Sequence, residues 1–386
     1  MQQRSFEIDV FRGLALVFIV VNHTAGSVFA WGTSRNFGVS EATEQFVFLA
    51  GMVTAFAYMS KVRRLGTEVA DTRMFRRAWE IYRAFLLTAA LMVTAGGILI
   101  YLDLQTPAFH QSEVTAFLGA PWRTVFEVLT LQRQPFLSDI LPMYAFFAIL
   151  TPMAIRLARM SWTYLLLASF IMWMLAPWVG SLLPSAGHSW TFNPFAWQLV
   201  FSLGLIVGMY PDLPNAPTGA TRRLLILAAI VVTIVGAIFS LFSYHESLRN
   251  LFVSVWPEQG LGIFSKSNAS LARVVNFIAM AWLVYLALRR GWLDRMLDRL
   301  SWMAIVGRNG LACFVGGAVI SIFAEALSFY LSAGEREWQS ALLADIIAVV
   351  TLIAFAMACD AYHEKQRGTA NQYGKLAQAG RETNRR

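Results

Sequence analysis

Asp9, Arg12 and His23 stand on one face of an apolar helix at the start of the chain. The segment runs Asp9-Val10-Phe11-Arg12-Gly13, crosses an almost wholly apolar stretch and reaches Asn22-His23. At about 100° per residue, Arg12 and His23 differ by about 20° in azimuth; at about 1.5 Å rise they lie roughly 16 Å apart along the axis. In a membrane-crossing helix this spacing puts Arg12 at one surface and a titratable imidazole near mid-membrane. An ionisable group there is expensive unless it faces protein or a water-filled cavity, and is by default functional. Histidine is the side chain best suited to moving a proton near neutral pH. The chemistry these residues predict is acyl transfer. Arg12, beside Asp9, holds an anionic head group, and His23 acts as general base on an acceptor hydroxyl, with Asn22 orienting the ring or binding a carbonyl. The ordinary alternative is a snorkelling arginine and a histidine satisfied by a neighbouring helix.

Further groups fall into place around that pair. Arg73, Arg76, Arg77 and Arg83 precede the third apolar run. Arg76 and Arg83 share a helical face, and such guanidinium forks suit the phosphates of a donor such as coenzyme A. Positive charge flanking a membrane span explains them equally well. Glu41 and Glu44 open the second run, where Glu44 can meet His23, fix its tautomer and stabilise the imidazolium; a helix N-terminal acid is the plain alternative. Gly307-Arg308-Asn309-Gly310 opens the ninth run, and Arg308 is a second donor-side candidate. Asp139, Trp197, Lys266 and Asn268 are candidates on the acceptor side. No P-loop, dinucleotide turn, H-E-x-x-H or G-x-S-x-G occurs, so nothing in the sequence supports metal, nucleotide-driven or serine-hydrolase chemistry.

The elements that must position these groups are transmembrane helices. The chain has 386 residues, of which 57% are hydrophobic and only 14% charged, against about 25% charged in a soluble domain. We read an all-α integral membrane protein with about ten spans. Among them are Phe11–Trp31, Glu44–Met59, Ala84–Leu102, Ile140–Ile155, Phe195–Tyr210, Val274–Leu288 and Met303–Tyr330. Lysine and arginine cluster in alternate loops, which predicts both termini cytoplasmic by the positive-inside rule. Residues 1–362 read as one transmembrane domain, and 363–386 as a polar, irregular cytoplasmic tail. Two long outer loops run from Asp103 to Asp139 and from Tyr244 to Leu271. They carry His110, Glu113, Trp122, Arg123 and Glu127, and His245, Glu246, Arg249, Trp256 and Glu258. Their aromatic and polar groups suit sugar rings or simply cap the bundle. The net charge of +8 is not a nucleic-acid signature, because no basic module stands apart from the membrane. Cys313 and Cys359 lie in apolar runs and read as core residues.

Together these residues resemble a known family. Arg12-x10-His23 is similar to the motif of the acyltransferase-3 superfamily of membrane O-acyltransferases. More closely, the chain resembles the OpgC family, the succinyltransferases of osmoregulated periplasmic glucans. The matching stretches are Asp9-x2-Arg12-Gly13-Leu14-Ala15 to Asn22-His23, Glu44-x-Phe46-Val47-Phe48-Leu49-Ala50-Gly51, and Leu129-Thr130-Leu131-Gln132 to Asp139-Ile140-Leu141-Pro142-Met143-Tyr144. They continue with Phe192-Asn193-Pro194-Phe195-Ala196-Trp197-Gln198 and Gly307-Arg308-Asn309-Gly310-Leu311. The resemblance implies a ten-helix bacterial inner-membrane fold with no tightly bound cofactor. It also implies acyl-CoA, as succinyl-CoA or acetyl-CoA, as cytoplasmic co-substrate, and a periplasmic glucan or other envelope polysaccharide as acceptor. It puts catalysis on His23 and the donor on Arg12, with assistance from Asp9, Glu44, Arg76, Arg77 and Arg83. Ala50 and Gly310 depart from it, standing where serine is expected. Membrane lipid is the surrounding partner, and homo-oligomerisation stays open. The rival reading is a proton-coupled transporter using His23, Glu44 and Asp139. Most acids sit at span ends, Glu325 excepted, which favours the enzyme.

Overall fold

The computed structural model describes residues 6–104, 106, 114–186, 190–244, 265–332 and 337–383. Most residues named above in the two long loops (His110, Glu113, His245, Glu246, Arg249, Trp256 and Glu258) lie outside these. Among the described residues there are helices and no strands. In chain order they are α1 Phe6–Asn22, α2 Ala42–Leu65, α3 Thr67–Tyr101, α4 Val114–Gly119, α5 Pro121–Leu129, α6 Ile140–Met160 and α7 Trp162–Val179. They continue as α8 Pro194–Met209, α9 Gly219–Tyr244, α10 Leu271–Arg289, α11 Asp294–Arg299, α12 Met303–Arg308, α13 Gly310–Leu331 and α14 Trp338–Thr383. Eight are long and apolar enough to cross a membrane. This is a multi-pass membrane protein. The two other long apolar helices, α1 and α8, have 17 and 16 residues.

Several boundaries differ from the sequence reading, each for a local reason. The first helix stops at Asn22 and not at Trp31. His23 Nδ1 hydrogen-bonds the Ile19 carbonyl at 2.7 Å, and the Thr24 hydroxyl bonds that of Val20 at 3.1 Å. Both side chains take carbonyls that a continuing helix would use, and Gly26 at φ +84° turns the chain away. The third run starts early, at Thr67, so the arginines expected ahead of the span are part of α3. The ninth run breaks into α12 and α13 at Asn309, whose amide donates to the Ile305 carbonyl at 3.0 Å. The last helix continues to Thr383, past the point near Glu364 where irregular chain is expected. Once nucleated, a helix extends readily through Glu, Lys, Gln and Ala.

Packing is set where small residues let backbones approach. Gly51 on α2 faces the Phe201 carbonyl of α8, and Gly204 on α8 faces that of Phe48. Gly13 on α1 faces the Met303 carbonyl, and Gly307 on α12 faces that of Asp9. Side chains at these four positions would collide with backbone, so the glycines fix two crossings of the kind that hold membrane helices together. The second crossing anchors α1 beside the start of α13. The chain then runs α1 away from the Arg12 end and α2 back toward it, so the helix starts of α2, α6, α8 and α10 gather at the opposite end, around His23.

Candidate active site

Arg12 marks one end of the site. It is mostly buried, its guanidinium lies 3.7 Å from the Asp9 carboxylate, and it points toward the beginning of α13. A Cβ at Gly310 would stand 2.6 Å from the guanidinium. The glycine that replaces the expected serine therefore makes room for Arg12. Arg308 points elsewhere: it pairs with Asp360 of α14 at 3.1 Å and is exposed. On α3, Arg77 shares Glu80 with Arg73, at 3.1 and 2.6 Å. Arg76 and Arg83 are exposed. These arginines belong to the same end of the bundle as Arg12.

His23 marks the other end. It is the first residue beyond α1, half-buried, with its ring edge against Phe136 at 6.2 Å. A cavity of about 10 Å³ touches it, lined by Leu16, Val20, Leu137, Phe314, Gly317 and Ser321. That is room for about one water. Gly317 and Ser321 sit near the middle of α13, so His23 is level with the midpoint of a spanning helix although α1 itself ends there. The Ile19 carbonyl can only accept, so Nδ1 carries the proton in this bond. Nε2 is left as the basic nitrogen.

Beyond His23 lies a polar cluster assembled from distant segments. Lys266 pairs with Glu41 at 3.0 Å and lies 5.5 Å from the Phe192 ring centroid. Lys266, Glu41 and Arg35 are within electrostatic range of His23. Arg273 is 6% exposed and bonds Glu44, which is wholly buried, at 2.7 Å. Glu44 also accepts from the Glu41 backbone N–H at 2.8 Å in a reciprocal cap on α2. The expected partnership of Glu44 with His23 is therefore corrected. The Ile19 carbonyl orients the imidazole, and Glu44 faces Arg273.

The remaining expected site residues can be placed in the same way. Asp139 ends the loop before α6, accepts from Thr191, and lies within range of Lys266. Asn268 accepts from the Asn193 amide at 2.9 Å. Asn22 accepts from the Thr33 hydroxyl at 2.8 Å, bracing the loop that follows α1. Trp197 has no exposed surface and donates to the Lys266 carbonyl at 3.0 Å. It holds the Lys266 segment from behind and presents no open face to an acceptor, which corrects its expected place among the acceptor-binding groups. Arg273 and Asn193 are the residues that the sequence reading passed over. An arginine within an apolar run is itself a signal, since it demands a buried partner; Asn193 gave none beyond helix capping. Cys313 and Cys359 are both free thiols.

The arrangement joins two environments of different character. From Arg12, an interior column runs past Gly310, Phe314 and the small cavity to His23. From His23, charged and amide groups cluster at the starts of four helices. A family model described as OpgC protein matches residues 4–364. No curated protein matches the chain at a significant level.

Proposed function

The chain belongs to the OpgC family, and from that premise we propose that it is an inner-membrane O-acyltransferase. In this reading it moves an acyl group, succinyl by family expectation, from cytoplasmic acyl-CoA to a hydroxyl of a periplasmic glucan. The observation that carries the reading is the position of His23. Its ring closes the interior column at mid-depth, its Nδ1–H is held by the Ile19 carbonyl, and Nε2 is free to take a proton from a group in the polar cluster.

The proposed steps use this chain's residues in order. The exposed arginines Arg76 and Arg83 gather the nucleotide phosphates at the cytoplasmic end, with Arg77 and Arg308 adding positive charge nearby while held by Glu80 and Asp360. Arg12, steadied by Asp9, holds the arm within the column. The acceptor enters from the periplasmic side among Asp139, Lys266 and Asn268. His23 Nε2 removes the hydroxyl proton as the oxygen attacks the thioester carbonyl. The tetrahedral intermediate then expels the thiolate, which recovers the proton from the imidazolium. Helix N-termini around the polar cluster add positive potential where negative charge develops. A cavity of about 10 Å³ is too small for an acyl chain, so donor entry requires the lining side chains to part.

The test offers succinyl-CoA and acetyl-CoA side by side to protein in nanodiscs with a β-glucan acceptor. Acceptor-dependent CoA release that is absent from His23→Ala supports the reading and selects the donor. Equal release by His23→Ala made at normal levels overturns it. Solute uptake by proteoliposomes without acyl-CoA would favour the transporter.

A further inference from the structure

One buried polar group has no place in the steps above. Tyr144, in the second turn of α6, is 9% exposed, and its hydroxyl makes no hydrogen bond. The ring cannot swing aside to find a partner. Phe46 meets it edge-on at 5.8 Å and Phe147 at 5.9 Å, with interplanar angles of 83° and 80°. Packing alone would favour phenylalanine here, because a buried hydroxyl without a partner lowers stability. The surroundings show where the hydroxyl lies. Phe46 stacks on Phe314 at 6.3 Å, and Phe314 lines the cavity beside His23. Arg12 is within electrostatic range of it. The hydroxyl thus sits along the column that links Arg12 to His23.

We propose that Tyr144 is a donor-positioning residue whose hydroxyl donates a hydrogen bond to an amide carbonyl of the pantetheine arm lying in that column. The inference rests on the acyl-transfer reading. An arm between Arg12 and His23 carries two amides through an otherwise apolar passage, where each carbonyl needs a donor. Tyr144 supplies one from a ring that is already immobilised, so little side-chain entropy is lost on binding.

The experiment compares wild type, Tyr144→Phe and His23→Ala in nanodiscs, with acyl-CoA and with acyl-pantetheine, which keeps both amides and lacks the nucleotide phosphates. Tyr144→Phe preserves the packing and removes only the unpartnered hydroxyl. Its thermal midpoint should be unchanged or raised. Its KM for either donor should rise about five- to tenfold, the loss of one hydrogen bond, with kcat and the acceptor KM within about twofold of wild type. An unchanged donor KM in an enzyme whose activity depends on His23 overturns the proposal. So does a penalty confined to acyl-CoA, or one that falls on the acceptor. Wild-type protein without any His23-dependent transfer overturns the acyl-transfer reading itself.

Discussion

The two ends of this molecule handle charge in opposite ways. Around His23 the charged pairs come from far apart in the chain: Arg273 meets Glu44, both buried, and Lys266 meets Glu41, both half-buried, each across more than two hundred residues. On α3 the charges are close in sequence and exposed or half-exposed. Arg73, Glu80 and Arg77 form a local ladder, and Arg76 and Arg83 face outward. A buried pair is intolerant of losing one member, because the survivor stays desolvated. An exposed charge is hydrated, screened by salt and individually replaceable. One end is therefore built to hold fixed geometry. The other is built to present positive charge without committing any one side chain.

The sharpest test of this contrast is chemical. His23→Gln keeps a polar side chain of similar size beside the polar cluster, and transfer should fall by about 10²- to 10⁴-fold while protein levels hold. CoA release by purified protein measures it. Arg273→Leu should then lower stability by about 3–5 kcal/mol, because Glu44 is left buried and unpaired. Replacing both, Arg273→Leu with Glu44→Leu, should restore most of the loss, and thermal unfolding in detergent reads both. If the single variant unfolds like wild type, the buried end is not the rigid one.

The exposed end predicts smaller effects. Arg76→Ala combined with Arg83→Ala should change stability by no more than about 0.5 kcal/mol. It should raise the donor KM about two- to fivefold at low salt, and that difference should vanish near 1 M salt. A loss that salt does not alter would mean that these arginines make fixed contacts. Smallest is the effect of Glu127 in the connection before α6, which is clasped by Arg133 at 2.9 Å and Arg123 at 2.7 Å. Hydrogen bonds from Arg133 first, then Arg123, hold its carboxyl below the usual value of 4.5. Its contribution is therefore complete above the unfolded value and fades as pH falls through the lowered one. Glu127→Gln should flatten the acid limb of the thermal stability profile slightly and leave the neutral region unchanged.

Much of the fold could be read from the residues. Apolar runs located the long helices, and the spacing of Arg12 and His23 placed them on one face because α1 is regular between them. Two of the boundaries that went astray did so through side chains that act on the backbone. His23 and Thr24 end α1, and Asn309 divides α12 from α13. Hydropathy does not see such bonds. Among site residues, the Arg12 and His23 positions follow from periodicity alone. The contact of Arg273 with Glu44, the burial of Trp197 and the isolation of the Tyr144 hydroxyl do not, since each depends on residues elsewhere in the chain.

By itself the sequence determined that this chain lives in a membrane as a helical bundle, and that a cation in its first helix and an imidazole just beyond that helix stand about a helix length apart. Those are local properties: apolar length and a 3.6-residue period suffice to fix them. Only the tertiary structure decided which charge neutralises which, and what orients the imidazole. A low-dielectric interior requires that every buried charge have a partner, but it leaves the choice to the helix crossings. Here Gly13, Gly51, Gly204 and Gly307 set those crossings by bringing backbones into contact. The distant pairs, and the column between Arg12 and His23, follow from them.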